Sequence, residues 1–194
     1  MKTADRFTLT RVILAPLFFI IYFIPIWTGR FASASVYILI PLLAFAEFTD
    51  FLDGFFARRN NEVSDFGKLF DPFADVLLHL GVFCCFTGAG YMPAFILLLI
   101  IYREFIMHFM RLIAVKQGVA IGARKGGKLK TVLYVCASFY TLLLESFVRL
   151  GIDVPIFAEL RAAAVVLYCV CAAAAYLSFA DYLIHFKSVL KNAR

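Results

Sequence analysis

Apolar residues run through this chain in long stretches, broken only by short polar or glycine-bearing segments. A transmembrane helix needs about 20 mainly apolar residues, and six stretches meet that length. They predict helices over residues 9–28, 32–57, 69–88, 91–117, 129–149 and 156–186. Gly29-Arg30, Gly88-Ala89-Gly90 and Gly151-Ile152-Asp153 mark turns between them, since glycine ends helices and opens tight turns. The first run follows Arg11 and has no small-residue cleavage site after it, so it reads as a retained span, not a signal peptide. No internal repeat, low-complexity tract or linker interrupts the pattern. The expectation is one all-α polytopic membrane domain over residues 1–194, with six transmembrane helices.

Composition supports a bilayer setting. Charged residues make up 16% of the 194 residues and hydrophobic ones 63%, far from the balance of a soluble globule. Lys and Arg placement then sets the orientation. With an inner N-terminus, Lys2, Arg6, Arg11, Arg58, Arg59, Lys68, Lys116, Arg124, Lys125, Lys128, Lys130, Lys187, Lys191 and Arg194 fall on the inner side. Arg30, Arg149 and Arg161 fall on the outer side, and Arg103 and Arg111 lie inside the fourth span. That bias predicts both termini in the cytoplasm. The net charge of +6 is then explained by topology and attraction to anionic lipid, and no nucleic-acid partner is expected. The cysteines, Cys84, Cys85, Cys136, Cys169 and Cys171, lack C-x-x-C spacing and read as packing residues. His79, His108 and His185 are scattered, although His79 falls one turn after Asp75 and could orient it.

Against this background the acids between positions 50 and 75 stand out. Carboxylates near a bilayer are costly and usually face a polar interior, where they have a task. Asp50 and Asp53 share a helix face at i,i+3, and Asp71 and Asp75 share another at i,i+4. The polar residues 58–68 let the chain turn outside the membrane, making the two helices antiparallel neighbours whose carboxylates converge. Four such charges repel one another unless cations sit between them, and clustered carboxylate oxygens suit hard divalent ions in a two-metal site. Gly54 lets a bulky ligand approach the backbone beside Asp53, Arg58 offers a planar fork for a phosphate oxygen, and Gly67 permits close helix packing. Taken singly, Asp50 and Asp71 could be caps, Arg58 a solvated charge and the glycines packing positions. Taken together, those readings leave acids on membrane helices without partners.

The run from Asp50 to Asp75 matches, without a gap, D-x2-D-G-x2-A-R-x8-G-x3-D-x3-D, and so resembles the signature of the CDP-alcohol phosphotransferase family. The resemblance implies a six-helix membrane enzyme, commonly a homodimer, that moves a phospho-alcohol or phosphatidyl group from a CDP-linked donor to an alcohol and releases CMP. It implies that Asp50, Asp53, Asp71 and Asp75 ligate two divalent cations, Mg²⁺ or Mn²⁺. It assigns Gly54, Ala57, Arg58 and Gly67 to the donor site and makes Asp75 the base for the attacking hydroxyl.

The acceptor must be chosen by the remaining polar residues. Arg103 and Arg111 lie about two helical turns apart on the fourth span and point broadly the same way. Lys128 and Lys130 open the fifth. Such a basic pocket suits an acceptor that carries a phosphate; snorkelling and topology account for Arg124 and Lys125 but not for Arg103. Tyr102-Arg103-Glu104-Phe105, Arg111-Leu112, Gly127-Lys128-Leu129-Lys130-Thr131 and the opening Phe7-Thr8-Leu9-Thr10-Arg11 resemble elements of the bacterial phosphatidylglycerophosphate synthases within the family. One departure is Val76, where those synthases usually have lysine in D-P-x-A-D-K. The implied reaction takes CDP-diacylglycerol from membrane lipid and glycerol-3-phosphate from the cytosol, at a cytoplasm-facing site in a bacterial inner membrane. Arg103, Arg111, Lys128 and Lys130 would bind the acceptor phosphate. Alternatives are another acceptor (inositol phosphate, serine or choline) or, from a different class, a cation transporter using the aspartates as its path.

Overall fold

A computed structural model of the chain describes residues 3–59, 65–118 and 125–186, and the side chains of 8–49, 67, 69–118 and 126–186. The described chain is all-helical: α1 (Thr3–Thr28), α2 (Ala32–Arg59), α3 (Asp65–Gly88), α4 (Ala94–Lys116), α5 (Lys125–Leu150) and α6 (Phe157–His185). Each matches one predicted run, with ends that differ by a few residues. The expected turns are also found, with Gly29, Gly90 and Gly151 at positive φ, a backbone region that glycine enters without steric cost.

Five helices carry segments long and apolar enough to cross a membrane: 8–28, 32–49, 69–88, 126–150 and 157–185. The expected sixth, α4, has the length; its 23 residues span about 35 Å against a hydrocarbon core of about 30 Å. Its apolar run is interrupted by Arg103, Glu104 and Arg111, which are the charges singled out above.

Packing places α1 on α3 and on α2, α5 on α6, α2 on α5, and α4 on α3 and α6. The core is aromatic where these helices meet, with Phe18, Tyr22, Phe83, Phe86 and Tyr168 almost wholly buried. Both α2 and α3 pack on α1 and on α5, and they approach each other at Glu47 and His79. The expected meeting of their carboxylates involves α2 side chains that lie outside the described residues.

At the Gly29 and Gly151 end of the bundle a buried ion pair joins three helices. Arg149 of α5 donates from Nε to Glu145 Oε1 (2.7 Å), from Nη1 to Ser35 Oγ of α2 (2.7 Å) and from Nη2 to the Tyr22 carbonyl of α1 (2.9 Å). Its guanidinium carbon also lies 4.3 Å from the centroid of the Tyr22 ring. A buried pair adds little net stability over an apolar replacement, but removing one partner strands a charge. Arg149→Met should therefore lower the unfolding free energy in detergent by about 3–5 kcal/mol, and adding Glu145→Leu should recover most of the loss. Melting of the two variants side by side tests this, and equal losses would refute it.

Candidate active site

At the opposite end, a cleft of about 590 Å³ opens between α3, α4, α5 and α6. Asp71, Pro72, Asp75 and Val76 line it from α3, with Arg103, Glu104 and Arg111 from α4 and Tyr182 from α6. Gly127, Lys128, Lys130, Thr131 and Val132 complete it from α5. The two described aspartates and all four basic residues expected to hold an acceptor phosphate thus face one space. Gly67 is buried on α3 and does not line it. Asp50, Asp53, Gly54, Ala57 and Arg58 belong to the last turns of α2, and their side chains lie outside the described residues.

Local sequence explains how these groups reach the cleft. On α3, Asp71 and Asp75 fall on one face, while Leu69, Phe70 and Phe73 turn to a separate apolar groove with Phe105, Phe109 and Leu112 of α4. Helix α4 divides likewise, with Arg103, Glu104 and Arg111 toward the cleft and its aromatics away. Gly126 brings the start of α5 against α6, where an added Cβ would stand 3.4 Å from Ser178 Cβ and 3.5 Å from its Cα. That close approach seats Lys128 and Lys130 beside α4 and α6.

The four cations differ in what they already hold. Glu104, 2% exposed, accepts from Arg103 Nη1 (2.8 Å), Lys130 Nζ (2.8 Å) and Tyr134 Oη (3.1 Å). Arg103 also donates from Nε to the Ala175 carbonyl (3.0 Å) and from Nη2 to Ser178 Oγ (3.4 Å). Arg103 and Lys130 are therefore engaged within the protein. Arg111 Nε has no hydrogen-bond partner among the described residues, and Lys128 is exposed.

Asp71 and Asp75 suit a hard divalent cation. Both are oxygen donors, both open onto the cleft, and Asp75 is 18% exposed. Among the described residues no group of three or more His, Cys, Asp or Glu side chains comes together, and the other two aspartates of the motif lie outside the described side chains.

Two residues assigned above to the N-terminal segment and to topology reach this site. Thr8 Oγ1 donates to Asp71 Oδ1 (2.5 Å). Arg11, fully buried one turn further along α1, acts electrostatically on Asp75. The signal in the sequence was an arginine placed at the entry of a long apolar run, with a threonine at i−3 on the same face.

Comparison with known proteins agrees with the resemblance. The family model described as CDP-alcohol phosphatidyltransferase matches residues 1–174. A Treponema pallidum CDP-diacylglycerol–glycerol-3-phosphate 3-phosphatidyltransferase is 38% identical over 204 aligned residues, covering 99% of this chain and 92% of the relative. The Bacillus subtilis protein of the same name is 34% identical, with 72% of this chain and 75% of that one aligned. A probable phosphatidylglycerophosphate synthase of Mycobacterium tuberculosis is 33% identical, with 69% and 62% aligned.

The geometry separates structural from free charges. Glu104→Leu leaves Arg103 and Lys130 without their shared counter-ion and should destabilise the protein by about 3–5 kcal/mol. Lys128→Ala, at an exposed position, should stay within about 0.5 kcal/mol of the unsubstituted protein. Melting in detergent without substrate distinguishes the two; a Glu104→Leu variant as stable as the parent would show that Glu104 does not hold the site together.

Proposed function

The chain belongs to the CDP-alcohol phosphatidyltransferase family, and from that premise we propose that it transfers the phosphatidyl group of CDP-diacylglycerol to glycerol-3-phosphate, giving phosphatidylglycerophosphate and CMP. The observation that carries this reading is the cleft in which Asp71 and Asp75 face Arg111 and Lys128. It supplies oxygen ligands at one side and uncommitted cations at the other, as a reaction between a diphosphate donor and a phosphorylated acceptor requires. Family membership displaces the transporter alternative.

Two divalent cations, Mg²⁺ or Mn²⁺, bound by Asp50, Asp53, Asp71 and Asp75, would neutralise the donor diphosphate and the charge on the departing CMP oxygen. The side chains do the rest. Gly54, Ala57, Arg58 and Gly67 form the donor site. Arg111 and Lys128 draw the acceptor phosphate into the cleft, while Arg103 and Lys130, fixed by Glu104, provide a rigid positive wall behind it. Asp75 takes the proton from the acceptor's primary hydroxyl as its oxygen attacks the phosphatidyl phosphorus. A new P–O bond forms, the bond to the CMP oxygen breaks, and CMP leaves with the electron pair. The enzyme works as a homodimer in a bacterial inner membrane, with both termini and the cleft on the cytoplasmic side.

Asp71→Asn should abolish CMP release while the protein still inserts and folds, and EDTA should do the same to the parent enzyme. Substantial turnover in either case refutes the metal role. Charge-assisted contacts are worth about 1.5–3 kcal/mol each, so Arg111→Ala or Lys128→Ala should raise the KM for glycerol-3-phosphate at least about tenfold. The KM for CDP-diacylglycerol should hardly change. Uncharged glycerol should be a very poor acceptor. Faster turnover of inositol phosphate, serine or choline than of glycerol-3-phosphate would keep the enzyme class and overturn the acceptor.

A further inference from the structure

The carboxylates of the acidic motif are divided between α2 and α3, so the spacing of these two helices matters to any ion they hold. Among the described residues a polar pair joins them. His79 of α3, 2% exposed, places Nε2 3.5 Å from Glu47 Oε1 of α2. Its Nδ1 lies 2.9 Å from the Asp75 carbonyl and 3.4 Å from Asp75 Oδ1. At Nδ1 the ring hydrogen-bonds the Asp75 carbonyl, and at Nε2 it makes a close polar approach to the Glu47 carboxylate. The ring is held from the sides as well, with Phe83 and Tyr134 at centroid distances of 6.2 and 5.6 Å. Glu47 is also one turn before Asp50, on the same face of α2.

We propose that Glu47 and His79 form a strut between the two helices, positioning residues that fix the Asp75 carboxylate and the spacing of α3 from α2 beside it. The inference rests on the metal reading above and adds two residues to it that touch no substrate. Val76 supports it from the sequence side. The position after Asp75 holds a buried apolar side chain, and the polar partner of Asp75 on this helix is the imidazole one turn further on. Partners that orient a ligating carboxylate matter to the ion it holds, and their loss commonly costs about 10–100-fold in metal affinity or activity.

The test uses the full-length protein in detergent with Mn²⁺ alone as probe, following free Mn²⁺ by its paramagnetic resonance signal. Glu47→Leu and His79→Phe should each weaken Mn²⁺ binding at least about tenfold, the phenyl ring keeping the contacts to Phe83 and Tyr134. The doubly substituted protein should bind no more weakly than the worse single variant, since the two side chains act as one unit. In turnover, kcat should fall and the KM for glycerol-3-phosphate should stay unchanged. Glu47→Gln, which keeps an acceptor at that place, should bind more tightly than Glu47→Leu. Parent-like Mn²⁺ affinity in Glu47→Leu, or losses that multiply in the double variant, overturns the strut while leaving the metal reading intact. No Mn²⁺ uptake by the parent overturns both. Should His79→Phe fail to fold, Glu47→Leu decides alone, because Glu47 is 15% exposed and its side chain is not needed to fill the core.

Discussion

The contact on which the site depends is the Glu104 carboxylate. Buried in an apolar bundle, it is stable only because Arg103, Lys130 and Tyr134 all donate to it. Those donors come from α4 and α5, and Arg103 extends the network to α6 through Ala175 and Ser178. One acid therefore joins three of the four helices around the cleft. It also keeps two guests of the hydrophobic interior, Arg103 and Lys130, fixed in place, so that the wall of the cleft stays positive without being mobile. The expense of burying these charges in an apolar environment is what makes the arrangement specific: any slip of α4 by one turn would separate the carboxylate from its donors.

The same rule operates at both ends of the bundle with opposite purposes. Around Arg149 each guanidinium nitrogen already donates, to Glu145, Ser35 and the Tyr22 carbonyl, so the cluster is answered within the protein. Around Glu104 the compensation is incomplete, because Arg111 and Lys128 stand outside it. A structural cluster closes on itself. A binding cluster leaves charge unanswered.

Much of this was legible in the sequence, and the limits are physical. Long apolar runs and glycine turns gave all six helices, since a helix in lipid must satisfy its own backbone and so declares its length. The aspartates were legible because charge in such a setting needs a reason, and helical period alone put Asp71 with Asp75 and Arg103 with Arg111 on shared faces. Period says which residues share a face, but not what lies across from them. Hence the packing of both α2 and α3 on α1 and α5 was not legible, and the expected meeting of their carboxylates involves α2 side chains outside the described residues. For the same reason Arg11 was credited to topology, although it is fully buried and acts electrostatically on Asp75, and Glu47 drew no notice because its role depends on a histidine of another helix.

A pattern follows from tracing the buried charges across the bundle. Arg103 meets Glu104, Glu104 meets Lys130, and Lys130 acts electrostatically on Asp75; Asp75 meets His79, and His79 faces Glu47. Basic and acidic side chains alternate along this path from α4 through α5 and α3 to α2. Alternation is a cheap way to hold ionisable groups in a low-dielectric interior, because each acid is flanked by a basic side chain. It also assigns roles by elimination. Arg103, Glu104, Lys130, His79 and Glu47 act as framework, whereas Arg111, Lys128, Asp71 and Asp75 line the cleft and meet what enters it. The division between framework and working surface is thus set by electrostatics, and it runs through residues that lie next to each other in the sequence.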